Sequence, residues 1–303
     1  MWFKNLVVYR LPADWSLSAA ELEAQLGTRP LQPCGPFEML SRGWVAPSST
    51  DRLVHTVNRQ HLIALGVNQK LLPASIIRQV TAERAAELAL EQGFPVGRRQ
   101  MRDLKLRVTE ELRSKALTRR RVTRAWIDPV NGWLAVDVAG TAKAEELIEM
   151  LRDSLGSLAV TLIETSRSPQ MAMAMWLKLG EAPLRLSIEQ DLELKAANPS
   201  GAVIRYSHHP LDGREIQAHL SAGMVPTRLG LTWNGRIAFV LNDKLQIKRL
   251  EFLEMSRDPA EGEERDETEQ FDIDFTVMAG ELAKLLDDVV AALADGAQER
   301  AAA

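Results

Sequence analysis

The densest chemistry in the chain is cationic. Between Arg98 and Arg124 stand eleven basic residues against three acidic ones, a local charge of +8. Such a run suits phosphate contact, because Arg forks two N–H donors onto phosphate oxygens without reading any base. The candidate DNA-contacting residues are Arg98, Arg99, Arg102, Lys105, Arg113, Lys115, Arg119, Arg120, Arg121 and Arg124. Arg107 points nearer an apolar stripe and is a weaker candidate. The competing reading is a solvated charged helix, the usual fate of such runs. The C-terminal region has the opposite sign: Glu251 to Ala303 holds four basic and sixteen acidic residues, a charge of −12. This segregation predicts one face that attracts a polyanion and one region that repels it, although the whole chain carries only −4.

Catalytic constellations are scarce. His208 and His209 are adjacent, so on an extended chain they point to opposite faces and cannot readily share a ligand. Neither His-Glu-x-x-His nor a cysteine-rich metal spacing occurs. Asp272 and Asp274 could bind a divalent ion, but acids near a helix N-terminus explain them more simply. Cys34 is the only cysteine, which excludes an internal disulfide and suggests a lone buried thiol. The sequence holds neither a Gly-x-x-x-x-Gly-Lys run nor Gly-x-Ser-x-Gly. No cofactor, metal site or catalytic residue is expected, and the chain is not expected to be an enzyme.

Hairpins and helices must position the basic run. Ala74 to Gln92 and Arg98 to Leu117 carry apolar residues at helical spacing, broken by Gly93-Phe94-Pro95-Val96-Gly97. They predict a helical hairpin whose narrow stripe and high charge leave it projecting from the body. Asn131-Gly132 and Asn234-Gly235 each join two apolar runs and predict β-hairpins. Ser18 and Glu21 predict a capping box for a short helix to Leu26. Thr141 is expected to cap a helix lined by Ala144, Leu147, Ile148 and Leu151. Residues 30–47 read as loop, and a closing helix is expected from Asp274 to about Leu293. Trp126, Trp133 and Trp233 read as core or interface. The Met171-Ala172-Met173-Ala174-Met175-Trp176 run reads as a buried helix or a dimer contact.

Together these elements predict an α+β fold, with hairpin-containing mixed or antiparallel sheets, helices and a protruding basic hairpin. The expected organisation is a body over 1–73 and 122–257, a finger over 74–121, an acidic linker over 258–273, and a helix and tail over 274–303. No stretch approaches the roughly 18 apolar residues of a membrane span, and Met1-Trp2-Phe3-Lys4-Asn5 does not open a charged leader and apolar run, so no signal peptide is expected. With one cysteine in 303 residues, a cytoplasmic protein without membrane partners is expected.

A series of blocks in family order resembles the bacterial recombination-associated RdgC proteins. It begins with Trp2-Phe3-Lys4-Asn5-Leu6 and Tyr9-Arg10-Leu11, then Pro33-Cys34-Gly35 and Gly43-Trp44-Val45. Trp126-Ile127-Asp128 with Asn131-Gly132 follows, then the stretch from Leu151 to Leu158. Arg236-Ile237-Ala238-Phe239-Val240-Leu241, Lys248-Arg249-Leu250, Phe271-Asp272 and Met278-Ala279-Gly280-Glu281-Leu282 complete it. The resemblance implies a nucleoid-associated homodimer closed into a ring around double-stranded DNA. It also implies sequence-independent binding and restraint of RecA by occupying its DNA substrate. The basic hairpin corresponds to a helical finger of that family. Where the family is expected to be lysine-rich, this chain has Arg205 followed by Ser207-His208-His209-Pro210. Arg205, His208 and His209 therefore form a second candidate loop for DNA contact or ring closure, and histidine contacts there weaken as pH rises. The alternative is a regulator that grips RecA directly, with DNA binding incidental and the acidic tail acting as a DNA mimic.

Overall fold

The computed structural model describes residues 2–198, 201–253 and 266–294. These form an α+β fold with two sheets whose named strands all pair antiparallel. The first sheet contains β1 (Val7–Arg10), β2 (Leu40–Val45), β3 (Val54–Val57), β4 (Gln60–Lys70), β5 (Thr118–Asp128), β6 (Trp133–Val136) and β7 (Thr161–Leu162). Its order is β2-β4-β5-β6-β1-β7, with β3 also on β4. The second runs β12-β11-β10-β8-β9, from β8 (Leu186–Ala196), β9 (Val203–Tyr206), β10 (Met224–Trp233), β11 (Ile237–Asn242) and β12 (Ile247–Phe252).

Both faces of the first sheet are covered at its centre, which is why residues 61–67 of β4, 125–128 of β5 and all of β6 are buried without alternation. On one face Ile63, Leu65, Val67, Ala125 and Ile127 pack with α1 (Ala19–Leu26) and α4 (Thr141–Leu155). On the other, Leu62, Trp126 and Trp133 join the main core. That core also takes the inner face of the second sheet, α5 (Pro169–Leu179), α6 (Arg214–Ser221) and α7 (Glu267–Ala292). The N-terminus ties the two sheets together. Leu6 exchanges backbone hydrogen bonds of 2.8 and 3.1 Å with Ile247 on β12, while Val7 to Arg10 pair with β6.

Several local expectations hold. Ser18 Oγ accepts from the Glu21 N–H while the Glu21 carboxylate accepts from the Ser18 N–H. Asn234 and Gly235 both adopt positive φ, 51° and 66°, as a tight hairpin turn demands. Trp126, Trp133 and Trp233 are buried, as are Met173 and Trp176, although Met171 is exposed.

Others need correction. Residues 40–45 form β2, not loop, because Gly43 serves a close crossing instead of a turn. A Cβ there would lie 2.3 Å from the Leu31 backbone. α4 has Gly140 at its N-cap and no side-chain cap, so Thr141 is its first helical residue. The closing helix starts at Glu267, seven residues before Asp274, because Glu267 and Glu269 suit the positive end of a helix. Thus 267–273 of the expected linker is helical, while 258–265 and the tail 295–303 lie outside the described residues.

Candidate nucleic-acid interface

The basic run is built on α2 (Ala74–Gln92), α3 (Arg98–Lys115) and the start of β5. The two helices lie between β4 and β5, whose ladder closes at Lys70 and Thr118. Leu71 N–H then donates to the Leu117 carbonyl at 2.8 Å, holding the two connections side by side. Gly93 ends α2 in the left-handed region at φ 78°, where glycine carries no Cβ penalty. At the start of α3, Gly97 N–H donates to Gln100 Oε1 at 3.0 Å.

α2 and α3 meet through Ala85, Leu104 and Val108, flanked by Val80, Val96 and Leu112. This cluster is separate from both larger cores. Arg84 and Glu111 bridge the helices at 2.6 Å, and Lys115 reaches the same carboxylate at 2.9 Å. Hydrogen bonds from Arg84 and Lys115 lower the Glu111 carboxyl to about 2.

The ten sequence-derived candidates separate by what holds them. Arg98, Arg99, Arg102 and Lys105 are exposed on α3 and have no acidic partner among the described residues. Arg98, Arg102 and Lys105, spaced four and three apart, share one side of that helix. Arg107 is exposed too. Its neighbours Leu104 and Val108 face α2, but its own position lies outside that seam.

Arg119, Arg120 and Arg121 belong to β5 and not to α2 or α3, and a strand sends neighbours to opposite faces. Arg119 and Arg121 share the face of α4, whereas Arg120 and Arg124 share that of Trp126. Arg121 Nη2 contacts Glu146 at 2.5 Å, and Arg124 Nε donates to the Pro47 carbonyl at 3.2 Å. Arg113 Nη1 donates to the Phe37 carbonyl at 3.4 Å. Arg113, Lys115, Arg121 and Arg124 are therefore engaged in the fold, while Arg119 and Arg120 are exposed without an acidic partner among the described residues.

The second candidate loop follows β9. Arg205 Nε donates to Glu193 at 2.7 Å, and Arg228 approaches the same carboxylate at 3.7 Å. Burial pushes the Glu193 carboxyl up, yet hydrogen bonds from Arg205 and Thr227 and the charge of Arg228 outweigh it and hold it below the usual range. Arg205, Arg228, Lys248 and Arg249 line one cavity of about 360 Å³ with Asp191 and Glu193. His208 is exposed at φ 53°. His209 Nδ1 lies 2.7 Å from the Pro210 carbonyl, and its Nε2 is 3.9 Å from Glu215. Sequence reasoning missed Arg228, Lys248 and Arg249 as neighbours of Arg205. Only strand order brings them together.

Among the described residues, no group of three or more His, Cys, Asp or Glu is arranged to hold a metal ion. Asp272 instead lies 3.2 Å from His55 Nε2 on β3. Cys34 is partly buried, with Sγ 3.2 Å from the Asn68 carbonyl. No helix among the described residues is long and apolar enough to cross a membrane.

Fold and surface define a two-sheet α+β protein bearing a cationic stretch that its own acids only partly neutralise. Comparison with known proteins gives that class a family. A family model described as "Putative exonuclease, RdgC" matches residues 1–296. The chain is 47% identical over 296 residues to the recombination-associated protein RdgC of Dechloromonas aromatica, covering 97% of each. It is 47% identical to the protein of that name from Cupriavidus pinatubonensis, over 97% of this chain and 98% of the relative. With the one from Janthinobacterium sp. (strain Marseille) the identity is 43%, again over 97% and 98%. The chain belongs to the RdgC family.

Proposed function

We propose that this protein binds double-stranded DNA without reading its sequence, as a ring-shaped homodimer, and acts in recombination by occupying DNA that RecA would otherwise use. The observation that carries the reading is the row of exposed cations Arg98, Arg99, Arg102 and Lys105, with no acidic partner among the described residues. Unneutralised cations displace condensed counterions from a duplex, which drives binding without base contacts. The curated relatives' name, recombination-associated protein, supports the process. Exposed Leu90 and Phe94, near the turn between α2 and α3, offer apolar surface for ring closure.

Binding to several unrelated duplexes across a salt series tests this reading. Equal affinities with a steep salt dependence support it; no binding at low salt refutes it. Titrating RecA without DNA tests the alternative of direct grip. The family description names an exonuclease, so end-labelled duplex incubated with Mg²⁺ or Mn²⁺ belongs in the same experiment. Shortened products would replace the binding-only reading with an enzymatic one.

A further inference from the structure

Beside the last rungs of β4 and β5 lies a small cavity of about 110 Å³, lined by Val67, Gln69, Arg119, Arg121 and Lys143. Strand register builds it. Val67 pairs with Arg121 and Gln69 with Arg119, so both arginines project from the same face of the ladder. That face is the one covered by α4, whose first turn supplies Lys143. Three cations thus surround a space well below the roughly 300 Å³ at which pockets for organic ligands begin.

Taken alone, these charges repel one another. α4 has no acidic residue in its first turn and only Gly140 at its N-cap. Lys143 therefore adds positive charge to the positive end of a helix, the reverse of the favourable arrangement. Glu146 relieves only part of this. It is shared between Arg121 at 2.5 Å and Arg42 at 3.0 Å, while Arg119 and Lys143 have no acidic partner among the described residues. Arg121 Nε–H is enclosed and has no acceptor among the described residues. Buried donors of that kind are normally satisfied.

We infer that this cavity is a seat for a single phosphate-type oxyanion, held by Arg119, Arg121 and Lys143. A compact dianion offsets the three charges lining the cavity, and the space admits no attached base. The seat shares two arginines with the duplex-binding reading but does not depend on it. Its ligand chemistry has two possible sources, free inorganic phosphate and the terminal phosphate of a DNA strand.

The test uses the full chain, melted against increasing inorganic phosphate with ionic strength held constant by NaCl. The wild type is expected to show a saturable rise in Tm. In the double variant Arg119→Gln with Lys143→Gln, both at exposed positions, the apparent affinity falls about tenfold or more, while melting in NaCl alone is unchanged or slightly raised because two mutually repelling cations are gone. A second arm compares linear duplexes of one sequence with 5′-phosphate or 5′-hydroxyl ends. Preference for the phosphorylated end, lost in the variant, assigns the ligand to DNA ends; saturable phosphate binding without that preference assigns it to the free anion. A rise no larger than matched NaCl gives, or one fully kept by the variant, overturns the seat. Covalently closed circular duplex, which has no ends, is measured alongside. Its failure to bind counts against the duplex reading and leaves the seat standing.

Discussion

Changing Arg98, Arg102 and Lys105 together to alanine removes the exposed cationic stripe of α3 while leaving its seam with α2 intact. Leu104 and Val108 carry that seam, and alanine is the best helix former, so the helix itself is retained. If each cation neutralises one phosphate, the slope of log affinity against log salt becomes shallower by about 0.9 for each, or about 2.7 per protomer. Lys115→Ala is the internal control. Lys115 is bound to Glu111 at 2.9 Å, so its loss shifts the slope by less than the single-phosphate value. Fluorescence anisotropy of a labelled duplex between about 50 and 200 mM salt, where such slopes are conventionally read, gives the measurement. Circular dichroism checks that the variant keeps its helices. An unchanged slope in a folded triple variant would refute the assignment of α3 to the phosphate-contacting surface.

Three further outcomes follow from packing and protonation. Gly43→Ala drives a Cβ to within 2.3 Å of the Leu31 backbone and is expected to cost about 3 kcal/mol, the upper end of ordinary overpacking; chemical denaturation at a Tm or midpoint close to the wild-type value would remove the close-crossing argument. Leu104→Ala is expected to cost about 2 kcal/mol, the low end for leucine because its cluster is small. Hydrogen exchange should show that loss mainly in residues 74–115, and uniform loss across both sheets would contradict a separate cluster. Burial lowers both His55 and His61 from 6.5, with Asp272 partly opposing the shift at His55. Their neutral forms are therefore favoured in the fold. The stability they contribute is complete above pH 6.5 and is lost as pH falls through their lower folded-state values. His61→Leu should flatten that part of the stability–pH curve, and an unaltered curve would exclude His61 from the effect.

Legibility from sequence followed the range of the signal. The capping box at Ser18 and Glu21, the stop at Gly93 and the Asn234-Gly235 turn are local, and all appear as read. β2 stayed hidden because Gly43 and the prolines around it look like turn residues; the need for glycine comes from Leu31 crossing close by. β8 carried a period-two signal in Leu186, Ile188, Leu192 and Leu194, interrupted by Gln190, and no hairpin turn pointed to it. The basic run was visible as charge, but not its partition. That Arg121 meets Glu146 and Arg119 does not depends on α4 packing across one face of β5. The cavity beside Lys143 was invisible for the same reason, since Lys143 is far from the arginines in sequence and adjacent only in the fold.

The hydrogen bonds between Leu6 and Ile247 also have a consequence for synthesis. Every strand of the first sheet has been translated by Leu162, but the partner of Leu6 lies about 240 residues downstream. At about 5–20 residues per second, the ribosome delivers β12 on the order of ten seconds or more after Leu6. Only in the last part of that interval, the 85 residues from Leu162 to Ile247 or about 4–17 seconds at that rate, does the nascent chain hold all the strands of the first sheet while Phe3, Leu6 and Trp126 still lack β12. A chaperone that recognises exposed apolar surface has its opportunity then, and a stop codon placed just before β12 should yield a product that stays bound to it.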